Sequence, residues 1–246
     1  MSVPHPRSRR RALGLVLALS VAALSTGAAS AAVNPLAQSP TVNRTHVVFA
    51  WGGYLWSASR AGGTARRLTY GGHEGKPIFS PDGKWIAYSG QYDGAGFISA
   101  TRADVYVIPA EGGKPRRITW HPGADLAVGW TPDSLRILFR SNREAFALFD
   151  RLYTVPVEGG APQVLPLPRG EEGSFSPDAA RVAYVPNAQW QPYFKRYRGG
   201  QTTPIQLARL DTLEIEKVPR RNSNDSQPVW IGDKVYFLSD RDGPVG

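Results

Sequence analysis

Catalysis and metal binding need particular side chains at particular spacings, and this sequence supplies few of them. It contains no cysteine, so thiolate nucleophiles, thiolate metal clusters and disulfides are excluded. Its four histidines, His5, His46, His73 and His121, are far apart and form no His-Glu-x-x-His pair. There is no Gly-x-Ser-x-Gly segment, so no hydrolase nucleophile of that type can be named. Gly71-Gly72-His73-Glu74-Gly75-Lys76-Pro77 has the glycine content of a phosphate cradle, but its glycine spacing is short. Pro77 also stands where a hydroxyl facing Mg²⁺ would be required, so the segment reads as a loop. Asp240-Arg241-Asp242-Gly243 resembles half of a calcium loop; lacking a third oxygen ligand and a distant glutamate, it reads as a turn. His73 and His121 follow Leu68-Thr69 and Ile118-Thr119 without a partner residue in view, as solvated loop residues do. The expectation is no catalytic residue, no cofactor and no metal in this chain.

Charge narrows the field further. Lys and Arg number 29 against 20 Asp and Glu, a formal net charge of +9 over 246 residues. Arg7, Arg9, Arg10 and Arg11 belong to a positively charged head that runs into the apolar stretch from Ala12 to Leu24 and the small residues Ala29-Ser30-Ala31. That order is the pattern of a cleaved export signal, and the apolar run falls short of the roughly twenty residues needed to span a bilayer. Residues 1–31 are therefore expected to be removed, placing residues 32–246 in the periplasm or outside the cell with no membrane span. Ser8-Arg9-Arg10-Arg11-Ala12-Leu13 also resembles a twin-arginine signal. Without those four arginines the balance is 25 against 20, or +5. The remaining pairs Arg66-Arg67, Arg116-Arg117 and Arg220-Arg221 are scattered rather than gathered into a stripe, which argues against a nucleic-acid partner.

Self-comparison shows what would have to position any site. Lys76-Pro77-Ile78-Phe79-Ser80-Pro81-Asp82-Gly83-Lys84-Trp85-Ile86-Ala87-Tyr88 is matched by Val128 to Phe139 around Thr131-Pro132-Asp133-Ser134. Glu172 to Tyr184, around Ser176-Pro177-Asp178-Ala179, matches both. Degenerate copies run from Pro40 to Phe49 and from Gln227 to Phe237. The aspartates Asp82, Asp133, Asp178 and Asp233 are 51, 45 and 55 residues apart, a period that signals a propeller or solenoid. In each copy an aromatic-bearing strand enters a tight turn, where proline presets φ and aspartate bonds the backbone beyond it, and an alternating strand returns. A second hairpin follows around Glu111-Gly112-Gly113 or Glu158-Gly159-Gly160. Pro81, Asp82, Pro132, Asp133, Pro177 and Asp178 are accordingly structural turn residues.

Four strands per unit at this period make a β-propeller blade. The reading is an all-β, incomplete β-propeller with blades at residues 41–69, 77–119, 127–165 and 172–218 and a first hairpin at 228–239, about four and a half of six. It implies the front of a longer protein with an unclosed ring. Phe79, Trp130, Phe175 and Trp230 are expected to be the buried aromatics of the innermost strands. The least repeat-like stretch is Trp190-Gln191-Pro192-Tyr193-Phe194-Lys195-Arg196-Tyr197-Arg198-Gly199-Gly200. Its aromatics either pack on their own blade or anchor an interface, since aromatics and arginine are favoured there.

The Ser-Pro-Asp-Gly hairpins resemble those of the broad TolB-like propeller superfamily. Arg196-Tyr197-Arg198-Gly199-Gly200 with Thr203-Pro204-Ile205-Gln206-Leu207, and the closing Phe237-Leu238-Ser239-Asp240-Arg241-Asp242-Gly243, resemble more narrowly the first, six-bladed propeller of tricorn proteases. Gln206 stands where that family has a tryptophan. The resemblance covers about Val33 to Gly246. It implies a serine peptidase that trims oligopeptides, built from two propellers, a PDZ domain and a catalytic core, and assembled as a homo-oligomer. In that family the catalytic serine and histidine lie in the distal core, so no residue here inherits their roles. The six-bladed propeller would act as a scaffold, channel or filter for peptides, with Tyr197, Arg198, Gly199 and Gly200 as a docking or packing element. Two rivals stand beside this reading: a stand-alone TolB-like periplasmic binding propeller, and the propeller of a prolyl-oligopeptidase-like hydrolase.

Overall fold

The computed structural model describes residues 36–71, 73–92, 102–144, 149–188 and 202–243, all within one compact unit, Pro35–Gly246. The expected export signal and the stretch carrying Tyr197, Arg198, Gly199 and Gly200 lie outside the described residues. Among those residues there is strand and turn but no helix.

Four antiparallel sheets of four strands follow one another, each in simple chain order. Blade 1 consists of β1 (Gln38–Val42), β2 (His46–Trp51), β3 (Tyr54–Ser59) and β4 (Arg66–Arg67). Blade 2 has β5 (Glu74–Phe79), β6 (Trp85–Gly90), β7 (Asp104–Pro109) and β8 (Arg116–Arg117). Blade 3 has β9 (Asp125–Trp130), β10 (Arg136–Ser141), β11 (Arg151–Pro156) and β12 (Gln163–Val164). Blade 4 has β13 (Glu172–Phe175), β14 (Arg181–Val185), β15 (Gln206–Arg209) and β16 (Ile215–Lys217). A hairpin of β17 (Asp225–Ile231) and β18 (Lys234–Ser239) follows. The chain is thus an incomplete β-propeller, as the repeat implied.

Apolar residues on both faces of the middle strands explain the stacking. In β6, Ile86 and Tyr88 pack toward blade 1 with Val48 and Leu55, while Ala87 packs toward blade 3 with Ile137 and Phe139. Leu138 and Leu152 of blade 3 likewise meet Phe175, Val182 and Tyr184 of blade 4. A sheet buried on both sides reads as a continuous apolar run instead of a clean alternation, which is how these second strands look in sequence.

The turns between the first two strands owe their shape to a hydroxyl and a carboxylate two residues apart. Ser80 Oγ donates to Asp82 Oδ1 at 2.5 Å, Thr131 Oγ1 to Asp133 at 2.6 Å, and Ser176 Oγ to Asp178 at 2.5 Å. The same hydroxyls accept the backbone N–H of Trp85, Arg136 and Arg181, closing each turn. The residue after aspartate is left-handed in all three: Gly83 at φ +74°, Ser134 at +64° and Ala179 at +58°. Glycine takes that conformation freely; serine and alanine take it at a cost. Ser134 has a compensating role, since its Oγ accepts the N–H of Asp82 in the neighbouring blade at 3.0 Å.

The outer strands are short, and side chains extend them. Thr69 Oγ1 accepts the N–H of Leu55, and Thr119 Oγ1 that of Val105, continuing the ladder where β4 and β8 end. Arg66 donates to the Glu111 carbonyl, while Arg116 donates to the Val157 carbonyl and the Glu158 carboxylate, so the outer strand of one blade holds the glycine-rich turn of the next.

Three sequence expectations need correction. Glu74 to Pro77, read as loop, form the first part of β5, a strand whose bulge accommodates the proline. Asp233 sits in a two-residue Gly-Asp turn without a hydroxyl partner, so the fifth copy closes by different turn chemistry. Trp230 is only partly buried, whereas Phe79, Trp130 and Phe175 are buried. It packs on Ala183, Val185 and Ile205 of blade 4, and the far face of its hairpin stays open, with Ile231 and Tyr236 59% and 54% exposed.

Candidate functional site in the axial cavity

The innermost strands β1, β5, β9, β13 and β17 converge on one open cavity of about 440 Å³. Ser39, Pro40 and Thr41 line it from β1, Lys76, Pro77 and Ile78 from β5, and Ala127 and Val128 from β9. Glu171, Glu172 and Gly173 contribute from the start of β13, and Gln227, Pro228 and Val229 from β17.

Three of these strands share one device. Pairing slips between Gln38 and Thr41, between Gly75 and Ile78, and between Ser226 and Val229. Inside each slip a left-handed residue precedes a proline: Ser39 (φ +49°) with Pro40, Lys76 (+50°) with Pro77, and Gln227 (+53°) with Pro228. A β-bulge leaves a residue unpaired and can therefore hold a proline, which has no N–H to give a ladder.

Side chains reaching backbone fasten the inner strands to the neighbouring blades. Thr41 Oγ1 accepts the N–H of Phe79 at 3.2 Å, and Ser89 Oγ that of Ala127 at 2.9 Å. The Trp130 indole N–H donates to the Ile78 carbonyl at 3.0 Å. Ser174 Oγ accepts the N–H of Trp230 at 3.0 Å, and Glu172 Oε2 accepts that of Gln227 at 2.6 Å.

A buried carboxylate stands at the start of the inner strand in blades 2 to 4 and in the last hairpin, and each is engaged. Glu74 accepts the Tyr92 hydroxyl at 2.8 Å and the Gly71 N–H at 2.9 Å. Asp125 is paired with Arg143 at 2.5 Å, and Glu171 with Arg140, which also lies 3.5 Å from Asp150. Asp225 accepts the hydroxyls of Ser223 and Ser239 and lies 3.5 Å from Arg241. Among the described residues no group of three or more His, Asp or Glu side chains is arranged to hold a metal.

Lys76 differs from these. It has solvent access through the cavity, and among the described residues no carboxylate lies within ion-pair distance of its ammonium. Burial by the surrounding strands lowers its pKa below the ordinary lysine value; Arg140 adds to that and Glu172 opposes it. The arrangement offers one cation on a mainly apolar wall, with its nearest acids already hydrogen-bonded.

The model of the tricorn protease N-terminal β-propeller domain matches residues 34–246. The chain belongs to that family. Tricorn protease homolog 1 of Streptomyces coelicolor is 29% identical over 192 residues, covering 77% of this chain and 17% of that protein. The tricorn protease of Thermoplasma acidophilum is 26% identical over 213 residues, covering 83% and 19%. The chain therefore spans about a fifth or less of these relatives. A crystal structure of the tricorn protease matches with a TM-score of 0.72 at 25% identity, covering 85% of this chain and 21% of that one. A putative TolB from Agrobacterium tumefaciens shares the fold, with a TM-score of 0.67 at 20% identity, covering 83% and 70%.

In this tricorn-type propeller, Pro81, Asp82, Pro132, Asp133, Pro177 and Asp178 stand in the turns that end the inner strands, none of them on the cavity wall. Gln206, which takes the place of a tryptophan in the resemblance, lies opposite Tyr184 and accepts its hydroxyl at 2.6 Å. Sequence reasoning missed Lys76, Glu172 and Gln227 as cavity residues. Ser39-Pro40, Lys76-Pro77 and Gln227-Pro228 recur at matching points of their strands, and that X-Pro pair was the available signal.

Proposed function

We propose that this chain is the non-catalytic N-terminal propeller of an exported tricorn-like serine peptidase, and that its axial cavity admits short peptides on their way to or from a catalytic core elsewhere in the same polypeptide. The observation that carries the reading is the convergence of all five inner strands, in a chain of this family, on one open cavity with a mostly apolar wall. Pockets of this size and lining suit small ligands held by few polar groups. Export rests on the residue order from Arg7 to Ala31. Assembly as a homo-oligomer, with a second propeller and a PDZ domain, follows from the resemblance alone.

The test uses the full-length protein. Val229 lines the cavity, so Val229→Trp adds bulk there. Turnover of peptides of eight or more residues is expected to fall at least fivefold, with a dipeptide reporter little affected and the thermal midpoint unchanged. Equal rates for wild type and variant on every peptide would defeat the channel reading. Export is checked separately by sequencing the N-terminus of the secreted protein, which should begin near Ala32.

A further inference from the structure

We propose that Lys76 is the recognition point within the axial cavity for a carboxylate carried by a short peptide; this rests on the reading that peptides enter that cavity. The other charges on the wall are engaged: Glu171 by Arg140, and one oxygen of Glu172 by the Gln227 N–H at 2.6 Å. Among the described residues Lys76 alone lines the cavity as a cation, and none of their carboxylates forms an ion pair with it. Its backbone is held at φ +50° by a bulge and followed by Pro77, so the root of the side chain is fixed by the strand. Pro40, Ile78, Val128 and Val229 make the surroundings apolar, where a charge-assisted hydrogen bond is stronger than in water. Desolvation and Arg140 lower the Lys76 pKa although the side chain keeps solvent contact, and the attraction of a bound anion opposes both effects.

Charge also selects the kind of anion. A phosphate dianion would face Glu172 across the cavity, whereas a singly charged carboxylate meets less repulsion. Two sources supply it, the peptide C-terminus and an Asp or Glu side chain, and the apolar wall suits the rest of a short peptide.

The experiment measures binding of fluorescein-labelled tripeptides to the whole protein by anisotropy, in three forms: an apolar peptide with a free C-terminus, its C-terminal amide, and an amide carrying one glutamate. Gln227 holds the matching left-handed position in β17, so Lys76→Gln is a substitution the bulge accepts. Wild type is expected to bind the free acid at least tenfold more tightly than the plain amide, Lys76→Gln to bind both alike, and Lys76→Arg to keep most of the preference. If the glutamate amide matches the free acid, the site reads any carboxylate; if it matches the plain amide, the site reads the terminus. An acid preference that survives in Lys76→Gln, or its absence in wild type, overturns the proposal.

A second readout separates this proposal from the channel reading. Acetic anhydride labelling resolved by mass spectrometry should modify Lys76 several-fold more slowly in saturating acetate than in chloride of equal ionic strength. Lys84, Lys114, Lys217 and Lys234 serve as references in the same digest. Failure of every peptide to bind, with acetate protection intact, sinks the peptide channel but leaves the carboxylate site standing. Loss of acetate protection sinks the carboxylate site itself.

Discussion

A single hydroxyl governs each Pro-Asp turn. Thr131 is buried, donates to Asp133, and accepts the N–H of Arg136, so Thr131→Ala loses both bonds in one step. The expected cost is about 1–2 kcal/mol, read as a drop of the thermal midpoint by several degrees. The same bonds carry a pH signature. The Thr131 hydroxyl and then the Leu135 N–H hold the Asp133 carboxyl below its usual range. Because the folded value lies under the unfolded one, this contribution is complete above about pH 4 and fades as pH falls through the folded value. Asp133→Asn should therefore lose less stability than wild type between pH 5 and 2, measured by thermal melts. Parallel acid slopes in the two proteins would show that the turn carboxylate is not held as described. Turn residues of this kind are legible in sequence because the same local bonds recur in three copies.

At the scale of the strand and blade, Trp130 shows how a neighbour turns a local pattern into a fixed position. It is buried between blades 2 and 3 with Val107, Ile137 and Tyr153, and its indole N–H reaches the Ile78 carbonyl on the next inner strand. Trp130→Ala should cost about 3–5 kcal/mol, and Trp130→Phe less, since it keeps most of the packing and loses the hydrogen bond. A thermal midpoint equal to wild type for Trp130→Ala would contradict the packing. Strand order and the four-stranded blade repeat were legible because every blade must meet the same requirement of covering two faces, while the inner strands of blades 1 to 3 and of the last hairpin begin two or three residues earlier than read. The last of the four aromatics, Trp230, was misjudged because burial depends on a neighbour on each side, and a one-dimensional motif does not carry that count.

For the whole molecule, the legible and the hidden parts divide along one line. The blades were found by their sameness, whereas the cavity is built from positions that differ: Ser39, Lys76, Ala127, Glu172 and Gln227 have no common type. Self-comparison rewards repetition, so it can find the recurring X-Pro pair of that wall but passes over the side chains before each proline, which differ in type. The open face of the last hairpin carries Val229, Ile231, Tyr236 and Leu238, all 44–59% exposed. Apolar surface of that kind promotes association, so the 246-residue chain should self-associate on concentration. Ile231→Lys with Tyr236→Lys should lower its apparent mass by light scattering, and an unchanged mass would locate the contact elsewhere. The proline bulges of β1, β5 and β17 bear on the cavity in another way. Each inner strand is the free edge of its sheet, and edges are where a passing extended chain can be stitched on by backbone bonds. Pro40, Pro77 and Pro228 take a donor out of three of those edges, and the left-handed residue before each bends the rail a second strand would follow. The wall behaves as a bearing instead of a zipper: side chains and charge can hold a guest, but the backbone has little with which to seize it.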